Sequence, residues 1–474
     1  MIINNSEKGI YMDIRSFLKE IVGEQYVLTE DFEKIVYSRD ASIELPVLPD
    51  YIVRPRTVEE IQKILEYLNS AQYKLPIHIR CSSTAYWGGG VPNKGGIILD
   101  LSRMNKIIEI NEDTLCVTVE PGITFSELFR ALEQKGYRIG ERPESAYSAC
   151  VGGHVASMGA GLGQYIFGNQ GDQVTGLKVV LPDGKLLTTG SGALENTPKF
   201  TKWMFGPDLS GLFIGSEGVL GVIVEVTLKL YPLPRAMAFA TFAFNNIEDT
   251  IETVHQIQKG PFSIQYLSCF EGASFVRTYP QVDWGSKTEH GIVLTIVIEG
   301  RSKEDATIQK EEITQEALRH SGEDLGEVFA RDIFWKNRYE WAVTRTLRKG
   351  LRTIILFRVP TKKIPLFWEE TRTIGEQFDL KIGRSCQARS RHFISYHPSI
   401  RYSEKNPEIW EKVKECKNAL YLRFIELGGL PCRLPGQLPK SITHKFKNYL
   451  LFLRRLKTCI DPKNIFSSSK IVGL

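Results

Sequence analysis

A chain of 474 residues has room for two or three domains, at roughly 100–200 residues each. Its 42% hydrophobic and 24% charged content is that of an ordinary globular protein. The net charge of +5 is mild, and no basic run is long enough to form a nucleic-acid or membrane patch.

The eight cysteines stand no closer than 16 residues apart, so there is no CxxC pair, zinc module or iron–sulfur run. Such dispersed cysteines fit a reducing cytoplasm. The first residues, MIINNSEKGIYMDIRSFLKEIVG, lack a basic stretch leading into an apolar one, so no secretory signal is expected. No apolar run reaches the roughly 18 residues of a membrane span.

Residues 50–72 read as a strand and then a helix, with a Thr57/Glu60 capping box and Ile61, Ile64, Leu65 and Leu68 at helical spacing. Leu75 to Ile79 is a short apolar run leading into a glycine-rich loop. Strands follow at Ile97–Leu101, Ile107–Ile110 and Leu115–Val119. A second capping box, Thr124 with Glu127, opens a helix that stops near Gly136. Leu177–Leu181 and Lys185–Thr189 form a hairpin around Pro182-Asp183-Gly184. Val222 to Tyr231 is a β-branched strand ended by Pro232 and Pro234, and composition shifts there. A second α+β unit follows to about Pro439, with strands near 237–244, 291–299 and 353–358. The tail is helical through Leu451–Thr458 and closes with DPKNIFSSSKIVGL.

Two segments pack small residues around glycines: Ile79–Asp100 (IRCSSTAYWGGGVPNKGGIILD) and Val151–Gly163 (VGGHVASMGAGLG). Backbone N–H groups there can approach a ligand without side-chain interference, and successive N–H groups make an anion-binding concavity suited to a pyrophosphate. The pair suggests one dinucleotide gripped from two sides. The nucleotide fingerprint G-x-G-x-x-G is not formed. Gly190-Ser191-Gly192 is followed by Ala193, Leu194 and Glu195, and the third glycine is missing.

Several phrases occur in a fixed order: RPRTVEEIQKIL from Arg54, CSSTAYWGGGVP from Cys81, ILDLSRMNKI from Ile98 and VEPGITFSEL from Val119. VGGHVA from Val151, VLPDGKLLTTGSGAL from Val180, GPDLSGLFIGSEGVLGVI from Gly206 and DPKNIF from Asp461 complete the series. The series resembles the FAD-linked oxidases and dehydrogenases that include vanillyl-alcohol oxidase, p-cresol methylhydroxylase, glycolate oxidase and D-lactate dehydrogenase.

The resemblance implies an α+β fold: an FAD-binding domain of the p-cresol methylhydroxylase type with two subdomains, and an α+β cap over the substrate. The FAD domain would span residues 1–235, the cap 236–440, and residues 441–474 would return to the FAD domain. Ser82, Ser83, Thr84, Ala85, Tyr86, Gly88 and Gly89 would hold the pyrophosphate. Pro121 and Gly122 would border the isoalloxazine or ribityl region, Gly152, Gly153 and Ala156 would pack on the flavin, and Ile223 would contact the adenine. Ser216, Glu217, Gly218 and Gly221 resemble a segment beside the cofactor. The first loop contains no histidine, so non-covalent FAD is expected.

In the substrate half, the metal motif H-x-G-D-G-N-x-H of the glycolate and D-lactate enzymes is replaced by SRHFISYHP (Ser390–Pro398), and no metal is expected. The phenolate clamp of the vanillyl-alcohol branch is incomplete as well: Trp87 and Cys432 fall where its two tyrosines would be, and Arg433 keeps its arginine. Asn169, with Asp172 nearby, falls where an acidic residue near flavin N5 is expected. Other polar candidates are Arg338, Tyr339, Arg384, Arg389, Arg391, His392, Tyr396 and His397. An Arg–His cluster of this kind would suit an anionic substrate whose proton a histidine removes. Arg433, His397, His392, Arg391 and Trp87 are therefore the catalytic candidates.

The expected activity is oxidation of a small alcohol, hydroxy acid or benzylic carbon by hydride transfer to flavin N5. A metal-independent D-2-hydroxy-acid dehydrogenase and a flavoprotein subunit of a larger electron-transfer complex stand as alternatives. Electrons would leave to an external acceptor: oxygen, an electron-transfer flavoprotein, a cytochrome or a quinone-linked subunit. A homodimer remains open.

Overall fold

The computed structural model describes residues 13–70, 75–92, 94–273, 279, 284, 285, 288, 291–340, 351–403, 406–432, 440–446, 448–467 and 471. Strands up to Pro232 build two sheets. The first has the order Val27–Leu28, Tyr51–Val53, Ile97–Asp100, Ile77–Arg80, with the last three parallel. Parallel neighbours need a crossover, and helix Val58–Ser70 supplies it, burying Ile61, Ile64, Leu65 and Leu68 as its spacing predicts. Thr57 Oγ1 accepts from Glu60 N at 3.2 Å, although the Glu60 carboxylate returns to Arg56 N rather than closing the full capping box.

The second sheet is antiparallel around the eleven-residue strand Val222–Pro232, which pairs with Cys116–Val119, Val174–Val180 and Tyr137–Ile139. The hairpin turn lies where expected, with Gly184 at φ 83°, a conformation glycine adopts without penalty. Helix Phe125–Glu133 carries the reciprocal Thr124/Glu127 capping box and buries Phe125, Leu128, Phe129 and Leu132 against this sheet.

Beyond Pro234 the chain builds an eight-stranded sheet that begins with Ala236–Phe244 paired along its full length to Ile292–Gly300. Helices Ile247–Lys259, Lys303–Arg319, Ile364–Gln377 and Pro407–Glu426 accompany it. The run expected as one strand at 353–358 is two. Leu351–Ile354 joins a three-stranded sheet with Ser399–Tyr402 and Ile382–Gly383, whereas Phe357–Val359 joins the large sheet.

The tail packs back on the first two sheets. Leu456 and Ile460 lie against the antiparallel core, and Ile465 and Phe466 enter the parallel one, where Ile77 N donates to Ile465 O at 2.8 Å. The DPKNIF phrase explains itself here. Asp461 accepts from Ile465 N and Phe466 N at 3.0 Å each, and its carboxylate meets the buried Lys457 ammonium. Lys457 also donates to Val219 O at 2.8 Å and Phe466 O at 3.1 Å, so one cation fastens the tail to the 215–221 turn. Breaking a buried pair by removing one partner costs about 3–5 kcal/mol. Lys457→Ala should therefore lower the midpoint of chemical unfolding sharply; an unchanged midpoint would show that the tail is not anchored through this residue.

Candidate active site

A cleft of about 330 Å³ runs between the glycine segments and the large sheet. That is the scale of a site that takes a whole small ligand, roughly 300–1,000 Å³. One wall is the first glycine segment, which leaves strand Ile77–Arg80. Arg80 Nη1 donates to Tyr37 O at 2.7 Å and Gly90 O at 3.3 Å, and Tyr37 donates to Asp100 Oδ2 at 2.6 Å. Burial, and then Asp100, push the Tyr37 hydroxyl well above its ordinary range, so it stays a donor.

The facing wall is helix Val151–Ala156 with the 215–218 turn. Gly152 N donates to Pro121 O at 2.8 Å, and Glu217 N to Ala156 O at 2.8 Å. A Cβ on Gly152 would fall 2.4 Å from Pro121 Cβ, and one on Gly122 2.3 Å from Leu101 O. At Gly153 a Cβ would meet nothing within 4 Å, because that position faces the open cleft. Three non-glycine residues lining the cleft are held in left-handed backbone: Ser83 at φ 56°, Met158 at 44° and Glu217 at 52°. Strain of this kind gathers where surrounding structure over-determines a functional site.

The third wall comes from four runs of cap sheet, and each contributes by strand alternation: Tyr266, Ser268 and Phe270; Arg352, Ile354, Leu356 and Arg358; Ser385, Gln387 and Arg389; Ser395, His397 and Ser399. The residues between them face the cap core: Leu267, Cys269, Phe357, Cys386, Ala388, Ile394 and Tyr396 are all buried. Among the described residues no carboxylate stands on this third wall; Glu144 and Glu217 line the cleft from the other side.

Arg352, Arg358 and Arg389 make no ion pair among the described residues, whereas Arg384, a short way before Arg389, is bound to Glu271. Arg352 lies over the Tyr86 ring at 5.7 Å, Arg358 Nη2 reaches Met158 Sδ at 4.0 Å, and Arg389 Nη1 donates to Gln164 Oε1 at 3.3 Å. The Nε atoms of Arg352 and Arg389 are buried without a partner among the described residues. Desolvation, then Arg389 and Arg352, hold His397 well below the usual histidine range, so its imidazole is neutral at neutral pH.

Of the cofactor candidates, Ser82, Ser83, Thr84, Ala85, Tyr86, Gly89, Pro121, Gly152, Gly153, Ala156, Glu217, Gly218, Gly221 and Ile223 line the cleft. Gly88, Gly122 and Ser216 stand behind it: Gly88 at φ 89° beside Glu44, and Gly122 under the 101–104 backbone. Of the catalytic candidates, Trp87 and His397 line the cleft, and Arg433 lies outside the described residues.

Four other candidates are corrected. His392 is exposed outside the cleft, and Arg391 donates to the carbonyls of Gln258 and Gly260 on the cap exterior. Tyr396 is in the cap core, its hydroxyl 2.8 Å from Thr371 Oγ1, because its place in the alternation is opposite to that of His397. Asn169 caps the turn 170–173, bonded reciprocally with Asp172. The sequence reading missed Arg352 and Arg358; they share one parity of the 351–359 run with the apolar Ile354 and Leu356, so no polar alternation marked them.

The FAD binding domain family matches residues 49–190, and the C-terminal domain of the FAD linked oxidases matches residues 233–471. This chain belongs to the FAD-linked oxidase family. It is similar to the glycolate oxidase subunit GlcD of Bacillus subtilis, at 27% identity over 98% of this chain and 97% of that one. It is also similar to a D-lactate dehydrogenase of Anaerostipes hadrus, at 26% identity over 96% of each. Among solved structures it shares the fold of p-cresol methylhydroxylase, with a TM-score of 0.83 at 18% identity and 96% of both chains covered.

As an FAD-linked oxidoreductase the chain uses FAD, and the cleft fits that group. It offers open space at Gly153, and the buried Ser83 Oγ has no hydrogen-bond partner among the described residues. Among the described residues no three His, Cys, Asp or Glu side chains stand together as a metal set, and no helix is long and apolar enough to cross a membrane.

Proposed function

We propose that the enzyme oxidises a small 2-hydroxy acid without a metal. The observation that carries this reading is the cationic third wall: Arg352, Arg358 and Arg389, without carboxylate partners among the described residues, beside a neutral His397. An unpaired buried guanidinium is costly, and a substrate carboxylate relieves that cost through charge-assisted hydrogen bonds. The glycolate oxidase and D-lactate dehydrogenase names of its relatives agree with such a substrate.

In this reading residues 1–235 with 441–474 hold FAD and residues 236–440 form the cap. The 82–89 segment binds the pyrophosphate, with Gly152, Gly153 and Ala156 against the flavin. FAD bound there supplies the two-electron acceptor. The arginines orient the acid, the walls exclude water, and His397 accepts the hydroxyl proton as the C–H bond is broken. An external acceptor then takes the electrons. The dispersed cysteines are consistent with a cytoplasmic setting.

A second reading, an electron-transfer subunit of a larger complex, is favoured by one surface. Leu194, Phe200, Trp203 and Phe205 are exposed together in sequence, Phe205 at 92%.

Anaerobic mixing with D-lactate or glycolate should bleach the flavin band rapidly, while 1,2-propanediol and 4-hydroxybenzyl alcohol should not. Bleaching by the phenol alone would contradict the proposal. Arg389→Met should raise KM for the acid on the order of 10–100-fold, the worth of a charge-assisted hydrogen bond. It should also move the acid limb of the kcat/KM profile. With Arg389 in place, protonation of His397 is held below the ordinary histidine range, so activity falls only at acid pH. Without that charge the limb shifts upward toward neutral pH; an unmoved limb would remove His397 from the base role.

Gly153→Ala should keep or slightly raise the unfolding midpoint, because alanine favours the helix by up to about 1 kcal/mol and meets no atom of the protein. The same change should lower the FAD retained per chain. Gly152→Ala should lose stability by about 1–3 kcal/mol against Pro121. Full FAD retention in Gly153→Ala would show that the cofactor does not pack there.

A further inference from the structure

Two cysteines meet where the glycine segments adjoin, and the chemistry above uses neither. Cys81 opens the first segment directly after strand Ile77–Arg80, and Cys150 precedes helix Val151–Ala156; both line the cleft. The Cys81 thiol is 3.7 Å from Pro121 O, the carbonyl that also accepts from Gly152 N. Ser82, the residue after Cys81, donates through its Oγ to Cys150 Sγ at 3.2 Å, which brings the start of the first segment onto the Cys150 sulfur. The Cys81 hydrogen bond, and then that of Ser82, push the Cys150 thiol below its ordinary range, while Cys81 is pushed well above. One sulfur is thus a ready nucleophile and its neighbour a protonated partner. Cys269 and Cys386 make a useful contrast: they face each other in the cap sheet, but both are buried in the apolar core behind the cleft.

We propose that Cys81 and Cys150 are a redox-responsive pair, which hydrogen peroxide oxidises to a disulfide that ties the first glycine segment to the helix of the second. The Cys150 thiolate attacks one peroxide oxygen, the O–O bond breaks, and the departing hydroxide leaves as water with the thiol proton. The Cys81 sulfur then attacks the Cys150 sulfenic acid. The S–O bond breaks, the S–S bond forms, and a second water leaves with the Cys81 proton. The two sulfurs lose two electrons, and the peroxide is reduced to two waters. Because the bridge pins together two walls of the cleft, FAD already bound should leave more slowly. That consequence rests on the cofactor placement proposed above, whereas formation of the bridge does not.

The test is to treat the FAD-loaded protein with hydrogen peroxide, alkylate remaining thiols and map the peptides by mass. The expected result is a linked Cys81–Cys150 peptide lighter by two hydrogens and restored by dithiothreitol, with Cys269 and Cys386 still alkylated. Cys81→Ser should stop at a Cys150 sulfenic acid trapped by dimedone, and Cys150→Ser should leave Cys81 a thiol. Free Cys81 and Cys150 at a peroxide dose that oxidises the exposed Cys459 would overturn the proposal, as would linkage of Cys150 to another cysteine. FAD release on dialysis should slow several-fold in the bridged wild type and not in Cys81→Ser. A bridge that forms without slowing release would overturn the locking role alone.

Discussion

A sheet that buries one face presents its other face to whatever lies opposite, and this constraint sets the chemistry of the cleft. In the cap sheets the buried positions are Leu267, Cys269, Phe357, Cys386, Ala388, Ile394 and Tyr396. Their alternates are Ser268, Arg358, Gln387, Arg389, Ser395 and His397, which face the glycine segments. A shift of one residue in register would exchange the two sets, placing guanidiniums in the core and aromatics in the cleft. The apolar packing of the cap thus positions the charges as well as stabilising the fold.

The charges are left in a state that calls for a ligand. Several other arginines are paired with carboxylates: Arg138 with Glu299, Arg384 with Glu271, Arg423 with Glu370. At the cleft, Arg352, Arg358 and Arg389 make no ion pair among the described residues; Arg352 lies over the Tyr86 ring, Arg358 over the Phe393 ring and beside Met158 Sδ, and Arg389 donates to Gln164 Oε1. On the opposite walls the backbone carries the matching strain at Ser83, Met158 and Glu217. Such costs are offset by the tight contacts behind them, where Gly122 and Gly152 bring segments closer than any side chain would permit. The Lys457–Asp461 pair then fixes the turn that carries Glu217 from behind.

Features of the sequence that act locally were legible. The Thr124/Glu127 capping box, the Pro182-Asp183-Gly184 hairpin and the strand ended by Pro232 were readable because their causes lie within a few residues. The glycine segments were readable too, and most of the cofactor candidates do line one cleft. What failed depended on distant partners. Tyr396 lies between Ser395 and His397, which face the cleft, and only cross-strand pairing reveals which parity points outward. Arg352 and Arg358 stand at the two ends of one mostly apolar run, which divides between two sheets at Ile355, whose N–H donates to Pro398 O. Asn169 was displaced by a capping role that its own neighbours, Gly171 and Asp172, already signal.

The most direct test of the account is a crystal structure of the FAD-loaded enzyme with oxalate, a non-oxidisable mimic of a small hydroxy acid. The account predicts one carboxylate of oxalate on the guanidiniums of Arg352 and Arg389, with His397 Nδ1 or Nε2 at hydrogen-bond distance from the atom that replaces the substrate hydroxyl. Oxalate bound away from these three side chains, or its absence from a cleft that holds FAD, would contradict it.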